Sequence, residues 1–319
     1  MLIRFFFTWV RKLFPRSHAE SLASVTLFRY MESHIDCLQR YGHYRTAETY
    51  RATLNSFSRF RKGEDVRLDE IVPKLVADYE ACLKEKGLCP NTIVFYLKHL
   101  RSVYNQAVDD GLVQDCRPFR KITVSVEKTT KRAVSLHSIR RLKLMDLYDS
   151  PVKCMARDLF LLSFYLRGMS FVDMAHLRKR DLSNGVLSYR RQKTGQLLTI
   201  RWEPCMDCLA ARYAAPPSSP YLLSIIRDAD GDTRRQYQSA LALVNRHLKE
   251  LGRIIRSPLP LTMYVARHSW ATIARKEGIP LSVISEGMGH DSENTTQIYL
   301  ASFEANVVDE ANRKILSRL

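Results

Sequence analysis

The chain has 319 residues, 45% of them apolar and 26% charged, with only 12 glycines and 12 prolines. That length suggests two domains, and that composition excludes collagen-like, low-complexity and membrane-embedded classes. Fifty Lys and Arg against 33 Asp and Glu leave +17 at pH 7, a field suited to an anionic polymer, nucleic acid before membrane headgroups.

Residues 1–21 read as a lead segment. Met1 to Phe14 is apolar but broken by Arg4, Arg11 and Lys12. Its longest uninterrupted run, Phe5 to Val10, is too short to span a bilayer and precedes no small-residue cleavage site. Residues 22–116 read as a helical domain of four helices. The first, about 24–40, stripes Leu27, Tyr30, Met31, His34, Ile35 and Leu38. The second, about 46–61, stripes Tyr50, Leu54, Phe57 and Phe60. A third starts near Asp69, taken as its cap, and stops at Gly87. The fourth follows Pro90 and ends at Gly111. Arg45, Arg51, Lys98 and Arg101 lie off these stripes, so the domain has basic faces.

Residues 117–134 have the composition of a linker, polar, β-branched and basic after Pro118. A second domain, 135–319, opens with a helix through Tyr148. A strongly apolar helix at about 152–166 follows and breaks at Gly168. Ser170 and Asp173 fit a capping box for a short helix through Leu177. The one clear β signal is a hairpin: Val186, Leu187 and Tyr189, then Lys193-Thr194-Gly195, then Leu197, Leu198 and Ile200. Helices are expected again at about 205–214, 235–255, 263–276, 281–287, 294–300 and 306–317, making the protein mainly α with a small β-hairpin. Between 131 and 201, 15 basic residues face 5 acidic ones, leaving +10 in 71 residues; such a concentration reads as a binding surface.

Seven cysteines, an odd number, lie scattered, as in a reduced cytoplasmic protein. Cys205-x-x-Cys208 is the one close pair, and without a second pair or a suitably spaced His it reads as ordinary packing, with no metal. Phosphate-loop, H-E-x-x-H, G-x-S-x-G and dinucleotide signatures are missing. Paired carboxylates at metal-binding spacing are also missing from the basic half, which argues against a metal-dependent nuclease. What remains is a set of cations and one tyrosine. Tyr264, Arg267 and His268, at offsets of three and four after Thr262, share one helix face. Gly289-His290 and Thr296-Gln297-Ile298-Tyr299 follow in short segments whose turns can bring polar side chains to one pocket.

Taken singly, each residue has a plainer reading: Tyr299 a core or rim tyrosine, Arg167 a helix C-terminal charge, Lys193 a solvated hairpin lysine, His290 a turn residue. Taken in order, Arg167, Lys193, Ala266-Arg267-His268, Met288-Gly289-His290 and Thr296-Gln297-Ile298-Tyr299 resemble the tyrosine recombinase (phage integrase) family, over about residues 22–319. The resemblance implies a two-domain clamp around double-stranded DNA, with a SAM-like core-binding domain and a tyrosine recombinase catalytic domain. It implies a metal- and ATP-independent site-specific recombinase without a cofactor, cutting and rejoining DNA through a 3′-phosphotyrosine in integration, excision or inversion. Tyr299 is then the nucleophile. Arg167 and Arg267 present forks matched to phosphate oxygens. Lys193 is the acid for the departing 5′ oxygen, and His290 and His268 add hydrogen bonds and proton movement.

Two departures stand out. Tyr264 occupies the position where the family commonly has His. Ser170 stands where it often has an acidic residue, and Asp173, one turn later, is the candidate substitute. The resemblance further implies a homotetramer on two duplexes, with a C-terminal stripe of Val307, Val308, Ala311, Ile315 and Leu316 docking on a neighbouring subunit or folding back. A lead of 21 residues leaves no room for an arm-binding domain, favouring a simple recombinase or compact-element integrase at the nucleoid. Arg51, Lys98 and Arg101 are the candidate DNA contacts of the first domain. Two other readings use the same residues: a DNA-binding protein of this fold that does not cut, and a type IB topoisomerase. A membrane-surface protein is a more distant third.

Overall fold

The computed structural model describes residues 25–122, 132–290, 292, 293 and 296. Tyr299, the lead segment, linker residues 123–131 and the expected C-terminal helix at 306–317 lie outside the described residues, as does the helix at 294–300 apart from residue 296. The chain divides into two compact units, Met1–Lys128 and Thr129–Leu319.

The first unit is helical. α1 (Leu27–Arg40), α2 (Tyr44–Phe60), α3 (Pro73–Glu85) and α4 (Pro90–Asp109) bury their apolar stripes against one another. Phe57 is fully buried and meets Tyr79 edge-on at 4.9 Å and Phe60 at 5.7 Å. The Tyr79 hydroxyl donates to Ser56 Oγ at 2.8 Å, which satisfies the polar tip of a ring sunk in the core. Asp69 is not the cap of α3. It sits in a 3₁₀ turn, Leu68–Glu70, and α3 begins at Pro73, whose missing N–H costs nothing at the first helical position.

The second unit is organised around α6 (Pro151–Tyr165), which follows α5 (Leu136–Lys143). The α5 helix is shorter than the sequence implies. Ser135 caps it as a side-chain acceptor from the Ser138 N–H, but Leu144 and Tyr148 are 81% and 92% exposed and give the helix nothing to pack. After α6 come α7 (Phe171–Ala175), β1 (Leu182–Ser183), β2 (Val186–Arg190) and β3 (Leu197–Arg201). The sheet is antiparallel in the order β1-β2-β3, with Leu187 opposite Ile200 and Tyr189 opposite Leu198. The two-residue β1 is too short to leave a periodic signal. α8 (Pro204–Arg212), α9 (Thr233–Ile254), α10 (Met263–Lys276) and α11 (Leu281–Met288) complete the described elements. The α8, α9 and α10 helices pack against α6. No helix among the described residues is long and apolar enough to cross a membrane.

Candidate active site

The rotation of α10 decides which of its residues face inward, and two bonds fix it. The Met263 N–H donates to Asn245 Oδ1 on α9 at 2.9 Å, supplying the cap that Thr262, at the cap position, does not give through its own side chain. The Val134 N–H donates to the buried Ser269 Oγ at 2.9 Å. Arg267 and His268 are thereby buried, while Tyr264 stays 45% exposed. Tyr264 packs its ring edge-on against His268, centroids 4.4 Å apart.

Arg267 ties three segments together. Its Nη1 donates to the Gly168 carbonyl at 2.9 Å, and its Nη2 donates to the Met288 carbonyl at 2.7 Å and lies 3.0 Å from His290 Nε2. A guanidinium has no lone pair to offer, so His290 Nε2 accepts. The imidazole proton is then on Nδ1, which donates to Thr296 Oγ1 at 2.8 Å. Burial, then the charges of Arg267, Arg191 and Lys193, push the His290 pKa down to about 4. Burial, Arg132 and Arg267 do the same to His268, also to about 4. Both imidazoles are neutral at physiological pH, and the hydrogen bonds select the same form for His290.

Arg167 reaches this region through an unusual backbone. After α6 ends, Arg167 and Gly168 both turn left-handed, with φ of 58° and 69°. For an arginine this costs about 1–2 kcal/mol. At Gly168 the absence of a side chain is obligatory, because a Cβ there would lie 2.7 Å from the Arg267 Cα. The half-buried Arg167 side chain donates from Nη1 to the Thr199 carbonyl on β3 at 3.3 Å.

Lys193 is exposed in the turn between β2 and β3, closed by the Gly195 N–H on the Arg191 carbonyl at 2.8 Å. The root of this turn rests on Asp173, which is 2% exposed. Asp173 Oδ1 accepts the Gln192 N–H at 2.7 Å, and Oδ2 accepts the Ser170 hydroxyl at 2.6 Å. Ser170 also caps α7 by accepting from the Asp173 N–H. Asp173 therefore supports the lysine turn through Gln192.

Sequence reasoning missed Arg191. It lies in the basic stretch that reads as a binding surface, where no one arginine stands out, yet it is 7% exposed. It donates from Nη1 to the Gly289 carbonyl, and its Nε lies 3.7 Å from Asp173 Oδ2. The signal that could have found it is the strand period: Leu187 and Tyr189 point inward, and Arg191 is next in phase.

Of the first-unit candidates, Lys98 and Arg101 are exposed on α4. Arg51 on α2 is paired with Glu32 at 3.3 Å. Cys205 and Cys208 are free and exposed at the start of α8 rather than packed. Among the described residues no group of three or more His, Cys, Asp or Glu is placed to hold a metal.

Residues 26–124 match the phage integrase SAM-like domain, and residues 207–306 match the phage integrase family. The second match begins beyond Arg167, Arg191 and Lys193 and does not cover them. Tyrosine recombinase XerD of Pseudomonas aeruginosa is 23% identical over 266 residues, 83% of this chain and 89% of that protein. XerA of Pyrococcus furiosus is 27% identical over 226 residues, 69% and 72% of the two chains. Among solved structures, the Tn1549 transposon integrase in complex with a circular intermediate DNA superposes with a TM-score of 0.65 at 17% identity, covering 93% of this chain and all of that one. At that identity the superposition carries the fold alone.

Proposed function

The chain belongs to the tyrosine recombinase family and is a site-specific DNA recombinase; from that premise we propose that Tyr299 is its nucleophile and that the cluster around Arg267 is the phosphate site. The observation that carries this reading is the buried guanidinium of Arg267, bonded at once to Gly168, beside Arg167, and to His290. Motifs more than 120 residues apart in the chain thus meet at one cation.

In the proposed reaction the Tyr299 hydroxyl gives up its proton to solvent water as its oxygen attacks the scissile phosphorus. A Tyr O–P bond forms, the P–O5′ bond breaks, and the 3′ end remains on the enzyme as a phosphotyrosine. Rejoining reverses this, so no nucleotide cofactor is consumed. Arg167 and Arg267 neutralise the charge that builds on the non-bridging oxygens. Lys193, on its exposed turn, gives a proton to the 5′ oxygen. Neutral His290 turns Nε2 toward Arg267 and orients its fork, and Tyr264 offers a phenol where relatives offer an imidazole. His268 supports Tyr264, and Asp173 supports the turn of Lys193. Both units bind duplex DNA, the first through Lys98 and Arg101 on the backbone, with Arg51 exchanging Glu32 for phosphate. Four subunits act on two duplexes at the nucleoid, through a Holliday junction, to integrate, excise or invert an element.

The test uses a nicked duplex carrying the chain's own crossover site, recovered from repeats flanking its gene. Wild-type protein traps a covalent protein–DNA adduct; Tyr299→Phe traps none and still binds. A wild type that leaves no adduct on its true site overturns the proposal. Relaxation of any supercoiled plasmid without site preference points to a topoisomerase instead.

A further inference from the structure

Arg191 has no task in the chemistry just described, yet Arg191 and Arg267 are the two arginines among the described residues that are buried. Burying a cation is costly unless the surroundings are built for it. Here they are. Arg191 stands at the root of the turn that carries Lys193, and its own N–H and carbonyl close that turn with Gln196 and Gly195. Its side chain runs past Asp173 at 3.7 Å and donates to the Gly289 carbonyl. Gly289 ends α11 in the left-handed region, φ 64°, and a Cβ at that position would lie 2.7 Å from Arg191 Cδ and 2.9 Å from Leu198 Cδ1. The missing methyl group is the space that Arg191 fills. His290 is the next residue.

We propose that Arg191 is a positioning residue that fastens the Lys193 turn to the Gly289–His290 turn, so that the proton donor and the phosphate site keep one geometry. Asp173 holds the same turn from the other side by accepting the Gln192 N–H. With Arg191 removed, the turn keeps its strands but loses its tie to α11, and Lys193 spends less of its time within reach of the 5′ oxygen. The effect should therefore fall on proton delivery and spare DNA binding.

This inference rests on Lys193 being the acid, and the experiment separates the two. Full-length protein is presented with two nicked duplexes, one with the natural 5′ oxygen at the scissile position and one with sulfur there. A thiolate departs without help, because its conjugate acid is far stronger than an alcohol. On the oxygen substrate Arg191→Ala should cleave about 100-fold slower or more, within the usual range for losing general acid catalysis. On the sulfur substrate it should cleave close to wild type, with unchanged DNA affinity, and Lys193→Ala should behave alike. Arg191→Lys goes through the same pair of substrates; it keeps a buried cation beside Asp173, so the readout survives an alanine variant that does not fold. Slow cleavage of both substrates by the folded Arg191 variants, with Lys193→Ala restored by sulfur, overturns the positioning role and leaves Lys193 as the acid. Failure of sulfur to restore Lys193→Ala overturns the reading of Lys193, and this inference with it. Undiminished cleavage of the oxygen substrate by Arg191→Ala overturns the inference directly.

Discussion

The two units bury different things. Among the described residues, the interior of the helical unit holds aromatic and aliphatic side chains and no Asp, Glu, Lys or Arg. Its buried hydroxyls are neutral: that of Tyr79 donates to Ser56, and that of Tyr30 donates to Asp110, which is itself only partly buried. The second unit buries Asp158, Asp173, Arg191 and Arg267. A charge in an interior is weak evidence for stability, since its desolvation offsets much of what its partners return. Its presence in one unit and absence from the other marks where the fold serves something besides folding. Asp158 shows the limit of that rule. It is bound by Arg157 at 2.8 Å, Arg212 at 2.6 Å and the Tyr213 hydroxyl at 2.8 Å, a closed local arrangement that fastens α6 to α8. Arg267 and Arg191 instead join the ends of separate elements, and those ends carry the polar residues of the site.

The sharpest way to break this comparison is Arg267→Ala. Strand cleavage should fall by roughly 10³-fold, as when a preorganised donor is removed from a developing charge, while DNA binding persists in a gel-shift assay; comparable loss of both would erase the distinction between the units. Phe57→Ala should do the converse. It should cost about 3–5 kcal/mol of stability in a denaturant melt, with cleavage per folded molecule unchanged. An inactive but fully stable Phe57 variant would contradict the division of labour.

A milder effect follows from acidity. The His290 and His268 pKa values are depressed from an ordinary 6.5 to about 4, so between those values the unfolded chain binds protons that the folded chain refuses. Stability contributed by these groups is whole above about 6.5 and is lost as pH falls toward 4. The melting temperature should decline across that window, and less steeply in His290→Asn. An equal slope in the variant would remove His290 from the account. His34 in the helical unit is also held down by burial, so His34→Gln measures the share of the decline that belongs to the first unit.

Much of the helical framework was legible because the apolar stripes repeat at the helical period, as in α1, α2 and α4. The start of α3 was not, because Asp69 has the chemistry of a cap but serves a 3₁₀ turn, and the helix waits for Pro73. The site was legible as a list of residues in chain order and not as a geometry. Nothing local to Arg267 announces that it will seek the carbonyls of Gly168 and Met288, since backbone acceptors leave no mark on composition. Arg191 escaped for a related reason: a charge in a basic stretch suggests an exposed binding surface, and only the alternation of β2 points it inward. Asp173 was found as a candidate, but its hold on the Gln192 N–H depends on a turn that brings together residues 19 apart in the chain.

The two glycines that crowd against arginines have a consequence for how this sequence can diverge. Gly168 faces Arg267 and Gly289 faces Arg191, each with room for a hydrogen and none for a methyl. In a saturation scan, a shorter residue at 191 should ease the crowding at 289 only in part, because Leu198 Cδ1 also stands 2.9 Å from a Cβ there and the left-handed backbone still favours glycine. Backbone at 168 can yield even less, because the obstacle there is the main chain of α10 itself.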